Sequence, residues 1–342
     1  MKAIVFHEHG GIEQLKYEEV PDPKVSAIDV LVRVKACALN HLDLWCRMGL
    51  PGIKLPLPHI SGADVAGEVV GIGELVSRVK IGDKVMLQPG LSCGQCRNCL
   101  SGADNLCPSY DILGLRSNGG YAELVAAPEV NAIRMPEYLS FNEAAAIPLV
   151  FLTAWHMLVT RAKLALGEDV LIIGAGSGVG SAGIQVAKLF GARVIATAGS
   201  EEKLQKARAL GADEVINHHT QDLAAEVKKI TNKKGVEVVF EHVGAAVFEK
   251  CIRSMAPNGR LVTCGVTTGF DVQFDLRYLF SKHLTLYGSY MGSKSELLEV
   301  MKFFERKKLK AVVDTTFPLR EAAQAQQRLE ERKQFGKVIL NP

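Results

Sequence analysis

Surplus charge is the first thing this chain lacks. Its 342 residues carry 40 Lys and Arg against 37 Asp and Glu, a formal net charge of +3. A balance this even creates no field for a polyanion or an anionic membrane face unless basic residues cluster, and no such cluster is evident. The Lys pairs at 228–229, 233–234 and 307–308 read as solvated helix ends and turns. Nucleic-acid and membrane partners are therefore not expected. Long apolar runs are missing as well. The least charged stretches, 144–159 and 170–187, are broken by Pro, Gly, Ser, Gln or His, which argues against a membrane span. The start, MKAIVFHEHGG, reads as a strand entering a turn rather than a secretory leader, so a cytoplasmic protein is expected. Neither a fixed-period repeat nor a low-complexity segment appears. What is present is ordinary for a globular protein: 48% hydrophobic and 23% charged residues, in a chain long enough for two domains with their own cores.

Short alternating runs punctuated by Gly and Pro fill roughly the first 130 residues (AIVF, DVLVRVKA, ADVAGEVVGIG, GDKVMLQPG) and predict a β-rich domain. The texture changes near Phe141, where FNEAAAIPLVFLTAWHMLV reads as one buried helix with Ser140 at its N-cap. From Glu168 onward, VLIIGAG, ARVIATAG, DEVINH, VEVVFEHV, GRLVTCGV and LTLYGSY alternate with helical segments. That rhythm predicts βαβ units and a doubly wound parallel sheet with helices on both faces. Two amphipathic helices, ELLEVMKFFERKK and REAAQAQQRLEERK, and a closing strand GKVIL complete the chain.

The first βα turn of this series is rich in glycine. Gly174, Gly176, Gly178 and Gly180 stand where VLII turns into a helix, with one residue more than the G-x-G-x-x-G spacing. Glycine there permits a tight turn and lets backbone N–H groups approach a pyrophosphate at a helix N-terminus. A carboxylate that would bond the ribose 2′-hydroxyl of NAD is missing at the position in register, Ala198. Ser200 and Lys203 follow and suit a 2′-phosphate, so NADP(H) is favoured over NAD(H). Glu201 and Glu202, and the absence of an arginine, keep NAD(H) in play.

Cysteine is distributed unevenly. Cys37, Cys46, Cys251 and Cys264 stand singly among apolar residues and read as small buried hydrophobes. Cys93, Cys96, Cys99 and Cys107 are bunched as C-x2-C-x2-C-x7-C in a loop with almost no apolar residues. Four thiolates can close around one tetrahedral ion, and an all-sulfur set points to a structural zinc. The spacing fits neither common ferredoxin pattern. Metal binding of about 10–16 kcal/mol in small peptides shows how much order such an ion can impose.

A β-rich first domain, a four-cysteine loop near residue 100, a dinucleotide fold and a returning C-terminal segment together resemble the medium-chain dehydrogenase/reductase family. The resemblance covers essentially the whole chain. It implies a GroES-like catalytic domain from residues 1–149 and 291–342, a Rossmann domain at 150–290, and an active site in the cleft. It also implies cofactor contacts. His41 and Lys337 fall where relatives hold the pyrophosphate, and Thr153 and Val266 fall beside the nicotinamide with the backbones of Ser289 and Met291. Val179, Val243 and Gly244 fall at further cofactor positions. Relatives use the strand LTLYGSY to pair in dimers, so a homodimer or homotetramer is expected.

The resemblance exposes one more absence. Zinc alcohol dehydrogenases hold a catalytic ion through positions that fall here on Asn40, Ala63 and the neighbourhood of Leu149, leaving only the acid, Asp64. Their proton-relay positions fall on Leu42 and Trp45. A catalytic zinc lowers the pKa of bound water from about 15.7 to about 7, roughly 12 kcal/mol. One hydrogen-bond donor in an oxyanion site contributes only about 3–4 kcal/mol. Asn40 thus cannot stand in for zinc in forming an alkoxide, but reduction of an enone or quinone needs less, because conjugation carries part of the developing charge. The expectation is a zinc-free NAD(P)H-dependent reductase of such substrates, with Asn40 and Asp64 as candidate catalytic residues. Asn40 reads equally as a helix N-cap, and Asp43 reads as structural. The alternatives are an alcohol dehydrogenase that recruits a metal through Asp64, His41, His59 or Cys46, and a non-enzymatic dinucleotide-binding protein.

Overall fold

The run DVLVRVKACA alternates apolar and polar side chains, and it forms the longest strand, Asp29–Ala38, in a computed structural model that describes residues 1–342. Val30, Val32 and Val34 point into the core, and both faces are buried by Ala36, Cys37 and Ala38. The sheet around it runs in the order Val313–Pro318, Lys337–Asn341, Asp29–Ala38, Asp64–Ile72, Lys84–Leu87, Ala132–Arg134, with Leu124–Pro128 also paired to Asp29–Ala38. Register places Ala38 opposite both Asp64 and Ile339. Two chain segments far apart in sequence therefore start beside the end of the central strand. Val313–Pro318 went unrecognised in the sequence because it is neither alternating nor uniformly apolar.

The chain divides into two units, Met1–Leu149 with Ser293–Glu305 and Ala311–Pro342, and Val150–Gly292 with Arg306–Lys310. Each has its own apolar core. Assigning all of 291–342 to the first unit needs correction, because Arg306–Lys310 groups with the second. The Gln185 side chain bonds both the N–H and the carbonyl of Lys310, which ties that segment to the Rossmann helix carrying Gln185.

In the second unit six strands run in parallel in the order Glu214–Asn217, Arg193–Ala198, Asp169–Ile172, Val236–Glu241, Met255–Thr263, Thr285–Gly288. This is the doubly wound order, whose ligand crevice lies beyond the carboxyl ends of the strands. Val170, Leu171 and Ile172 are fully buried, as a strand covered on both faces requires. No helix is long and apolar enough to cross a membrane.

The single helix expected after Ser140 is a second correction. Ser140 does cap, and its hydroxyl accepts from the Glu143 N–H while the Glu143 carboxylate accepts from the Ser140 N–H. The helix nevertheless ends at Ala145, and a new one, Pro148–Trp155, begins before a π-turn, His156–Arg161. Proline has no N–H to continue the ladder and suits the first position of a fresh helix.

Candidate active site and metal centre

In the first unit, three adjacent strand ends gather Asn40, Asp64 and Lys337. The Lys337 Nζ donates to Asn40 Oδ1 at 2.5 Å and to Asp64 Oδ2 at 2.9 Å. Asn40 Nδ2 donates to the same Asp64 oxygen at 2.9 Å and, more weakly, to the Ala38 carbonyl at 3.4 Å. The other carboxylate oxygen of Asp64 accepts from the Leu149 N–H at 2.8 Å. All three side chains are buried, Asp64 completely. Charge is balanced within the cluster, and the amide of Asn40 is engaged at both ends. Asn40 as a donor to a substrate carbonyl therefore needs correction in this structure: its N–H groups face inward. As the residue before the helix His41–Met48, it also gives its backbone N–H to Asp43 Oδ2 at 2.7 Å.

Asp43 organises the floor of this cluster. Its carboxylate accepts from Asn40 N–H, from Gly62 N–H at 3.1 Å and from the Tyr121 hydroxyl at 3.0 Å. Burial pushes its pKa up to about 6 even so, against the lowering effect of those bonds and of the Lys337 ammonium. Gly62, at φ +110°, cannot carry a side chain, because a Cβ would lie 2.6 Å from the Tyr121 ring. His41 opens the helix, partly buried, with its ring edge-on to Trp45 at 5.3 Å.

The same unit carries the cysteine lobe. The four Sγ atoms lie within 4.8 Å of one another. Cys93 to Cys107 and Cys96 to Cys99 are each 3.5 Å, and Cys93 to Cys99 is 3.9 Å. Sulfurs held about 2.3 Å from a tetrahedral ion are about 3.8 Å apart, so the set fits zinc as it stands. Backbone N–H groups of Gln95 and Cys96 aim at Cys93 and bring its thiol down to about 6, so it is already inclined to the thiolate a metal needs. A brace missed in the sequence holds the lobe. The Lys294 ammonium bonds the Gly90 carbonyl, the Ser92 hydroxyl and Asp104, all at 3.0 Å, while the Lys294 N–H meets the other Asp104 oxygen at 2.9 Å.

In the second unit, the strand Asp169–Ile172 leads to Gly174 at φ +67°, and the helix Gly178–Leu189 starts behind an N-cap Ser177. A Cβ on Gly180 would fall 2.2 Å from the Gly174 carbonyl oxygen, so the turn closes only with glycine there. Thr197 bonds the Gly174 N–H through its hydroxyl at 3.1 Å. Gly176, Gly178 and Val179 complete a turn whose first helical N–H groups have no partner within the helix, the arrangement that holds a pyrophosphate. Glu241, fully buried, shapes the next loop. Its Oε1 accepts from Val243 N–H and Gly244 N–H, and its Oε2 accepts from the Thr263 hydroxyl at 2.8 Å. Thr268 N–H bonds the Val243 carbonyl at 2.8 Å, and Val266 lies against Gly244. Val243, Gly244 and Val266 are thus brought together.

Other positions in this unit are less connected. Ser289 N–H is spent on the Thr263 carbonyl, Met291 is buried at φ 55°, and Thr153 is buried on its helix. Ser200 serves as an N-cap, its hydroxyl accepting from Lys203 N–H at 3.4 Å. The sequence offered no sign that His218 and His219 would come so close to Gly199. A Cβ on Gly199 would lie 2.5 Å from His219 Nε2 and 3.1 Å from His218 Nε2.

Comparison with known proteins fits both halves. Residues 26–137 match the family described as "Alcohol dehydrogenase GroES-like domain", and residues 178–306 match "Zinc-binding dehydrogenase". The chain is 35% identical to an NAD-dependent alcohol dehydrogenase of Sulfolobus acidocaldarius, over 99% of each chain. It belongs to the medium-chain dehydrogenase/reductase family. The chain is also 31% identical to a quinone oxidoreductase of Sus scrofa, over 99% of this chain and 97% of that one. A crystal structure titled as an NAD-dependent alcohol dehydrogenase superposes with a TM-score of 0.97 at 49% identity, covering 100% of both chains. The medium-chain dehydrogenase is an NAD(P)-dependent oxidoreductase, with a GroES-like unit and a Rossmann unit.

Proposed function

We propose that this enzyme reduces activated C=C or quinone-like substrates with NAD(P)H and without a catalytic zinc. One observation carries the reading. Both oxygens of Asp64 are engaged by Lys337, Asn40 and Leu149 N–H, and the ammonium already supplies the positive charge that would hold a carboxylate ligand in place. Asn40, Ala63 and Leu149 offer no thiolate or imidazole beside it. The donor set therefore does not suit zinc.

When bound, the nicotinamide supplies the hydride. The turn 174–180 holds the pyrophosphate with backbone N–H groups, and the loop shaped by Glu241 presents Val243, Gly244 and Val266. Within the first unit, Lys337 and His41 are the cationic and polar residues that the family resemblance assigns to cofactor binding. Ala198 and Gly199 put no carboxylate against a 2′-phosphate, and Ser200 and Lys203 suit one, which favours NADP(H), whereas the names of the relatives favour NAD(H). The cysteine lobe holds one structural zinc, through Cys93, Cys96, Cys99 and Cys107. Eight cysteines, none of them in a disulfide, suit a reducing, cytoplasmic setting. The edge strand Thr285–Gly288, flanked by exposed Leu276, Phe280 and Tyr290, is the surface for a dimer or for the pairs within a tetramer.

A second reading, alcohol dehydrogenase, is favoured by the names of the relatives. One screen separates the two: enones, quinones, aldehydes and alcohols with both cofactors, alongside zinc quantification. Turnover of enones or quinones at one zinc per chain is expected. Alcohol oxidation that disappears when a second equivalent of metal is withdrawn would replace the first reading with the second.

A further inference from the structure

The strand Val236–Glu241 is followed by a histidine that the cofactor contacts above do not include. His242 turns toward the glycine turn, not away from it. Its Nε2 lies 2.8 Å from the Ile173 carbonyl oxygen and 3.2 Å from Ser177 Oγ, and its ring is 3.1 Å from where a Gly174 Cβ would be. A carbonyl can only accept, so the proton of this imidazole sits on Nε2. Burial holds the ring below the usual histidine range, against the raising effect of Glu241 and of the Ile173 and His242 backbone contacts, so the ring carries a single proton.

The consequence falls on Ser177. A hydroxyl has two acceptor lone pairs and one proton to give. One lone pair accepts the Gly180 N–H at 2.8 Å, and the other faces the His242 Nε2–H, whose single proton is shared between the Ile173 carbonyl at 2.8 Å and Ser177 Oγ at 3.2 Å. Neither partner can take the serine's proton. It is left for a third group at the mouth of the helix Gly178–Leu189, where an anion is the natural acceptor.

We propose that His242 is a positioning residue of the dinucleotide site, orienting the Ser177 hydroxyl as a donor to the cofactor's pyrophosphate. This rests on the reading that the turn 174–180 holds that pyrophosphate. Dissociation constants for NADH and for ADP-ribose, measured by calorimetry on the protein without cofactor, test it in four forms: wild type, Ser177→Ala, His242→Leu and the double variant. Ser177→Ala and His242→Leu each weaken both ligands about tenfold, the scale of one charge-assisted hydrogen bond. The double variant is no worse than the weaker single one, because one acts through the other. His242→Gln, which keeps an amide N–H near the same place, recovers much of the loss. Melting of the unliganded variants checks that they fold. Where His242→Leu does not fold, nitrogen-15 NMR of the wild-type imidazole decides instead: a proton on Nε2 supports the proposal and a proton on Nδ1 overturns it. A folded His242→Leu that binds within twofold of wild type, or single losses that multiply in the double variant, overturns the proposal alone. Wild-type protein that binds neither ligand overturns the site reading with it.

Discussion

The cysteine lobe and the cluster at the end of the central strand answer one question in opposite ways. Each gathers polar side chains at one point of the first unit, the lobe in a loop poor in apolar residues and the cluster within the apolar core. The lobe brings together four thiols that become anions on binding, and their sulfurs meet one another and backbone N–H groups, so a metal ion would supply the charge. The cluster brings a carboxylate and an amide together with an ammonium, and its charge closes internally. On the proposed reading, zinc is a structural necessity at one place and superfluous at the other.

The largest expected effect tests the lobe. Removing zinc with a chelator, or Cys99→Ser, releases a loop held by binding on the order of 10 kcal/mol. Limited proteolysis then cuts within 91–110, and a lobe that stays resistant breaks the comparison. The cluster comes next. Lys337→Met strands a fully buried Asp64 and costs about 3–5 kcal/mol in denaturant unfolding, with or without chelator. Asp64→Leu added to it restores part of the loss, since the uncompensated charge goes too.

Asp43 gives a smaller, pH-dependent effect. Its folded pKa of about 6 lies above the ordinary 3.8. Below the lower value both folded and unfolded chains are protonated. Between the two the folded chain keeps a proton that the unfolded chain has released, so stability falls as pH rises and then levels above about 6. The fall amounts to about 3 kcal/mol, read as the difference between wild type and Asp43→Asn, whose curve lacks this step. Smallest is Lys294→Met, which loosens the brace on the lobe by about 1–2 kcal/mol and raises the rate at which a chelator strips the metal. A stripping rate equal to wild type would show that the ion alone orders the lobe.

What the sequence disclosed followed the range of each signal. The cysteine spacing, the glycine turn and the alternation of DVLVRVKACA are local, and each can be read within a single window. Asn40, Asp64 and Lys337 were each visible, but their mutual bonds depend on strand register, across 24 positions for Asn40 and Asp64 and across more than 270 for Lys337. No local pattern encodes that, and Asn40 consequently looked available to a substrate. The lobe's brace, Lys294 on Asp104, was hidden for the same reason. Pro148 was legible and underweighted, because apolar composition on both sides suggested one helix. His242 carried no motif; only the fold brings it against a serine in the preceding turn.

The most direct measurement is metal content together with turnover on the purified, full-length enzyme. Zinc should be found at one equivalent per chain, lost only when the cysteines are replaced, with enone or quinone reduction surviving in Asn40→Ser. Two equivalents, the second lost in Asp64→Asn together with turnover, would contradict the claim that an ammonium has taken the metal's place.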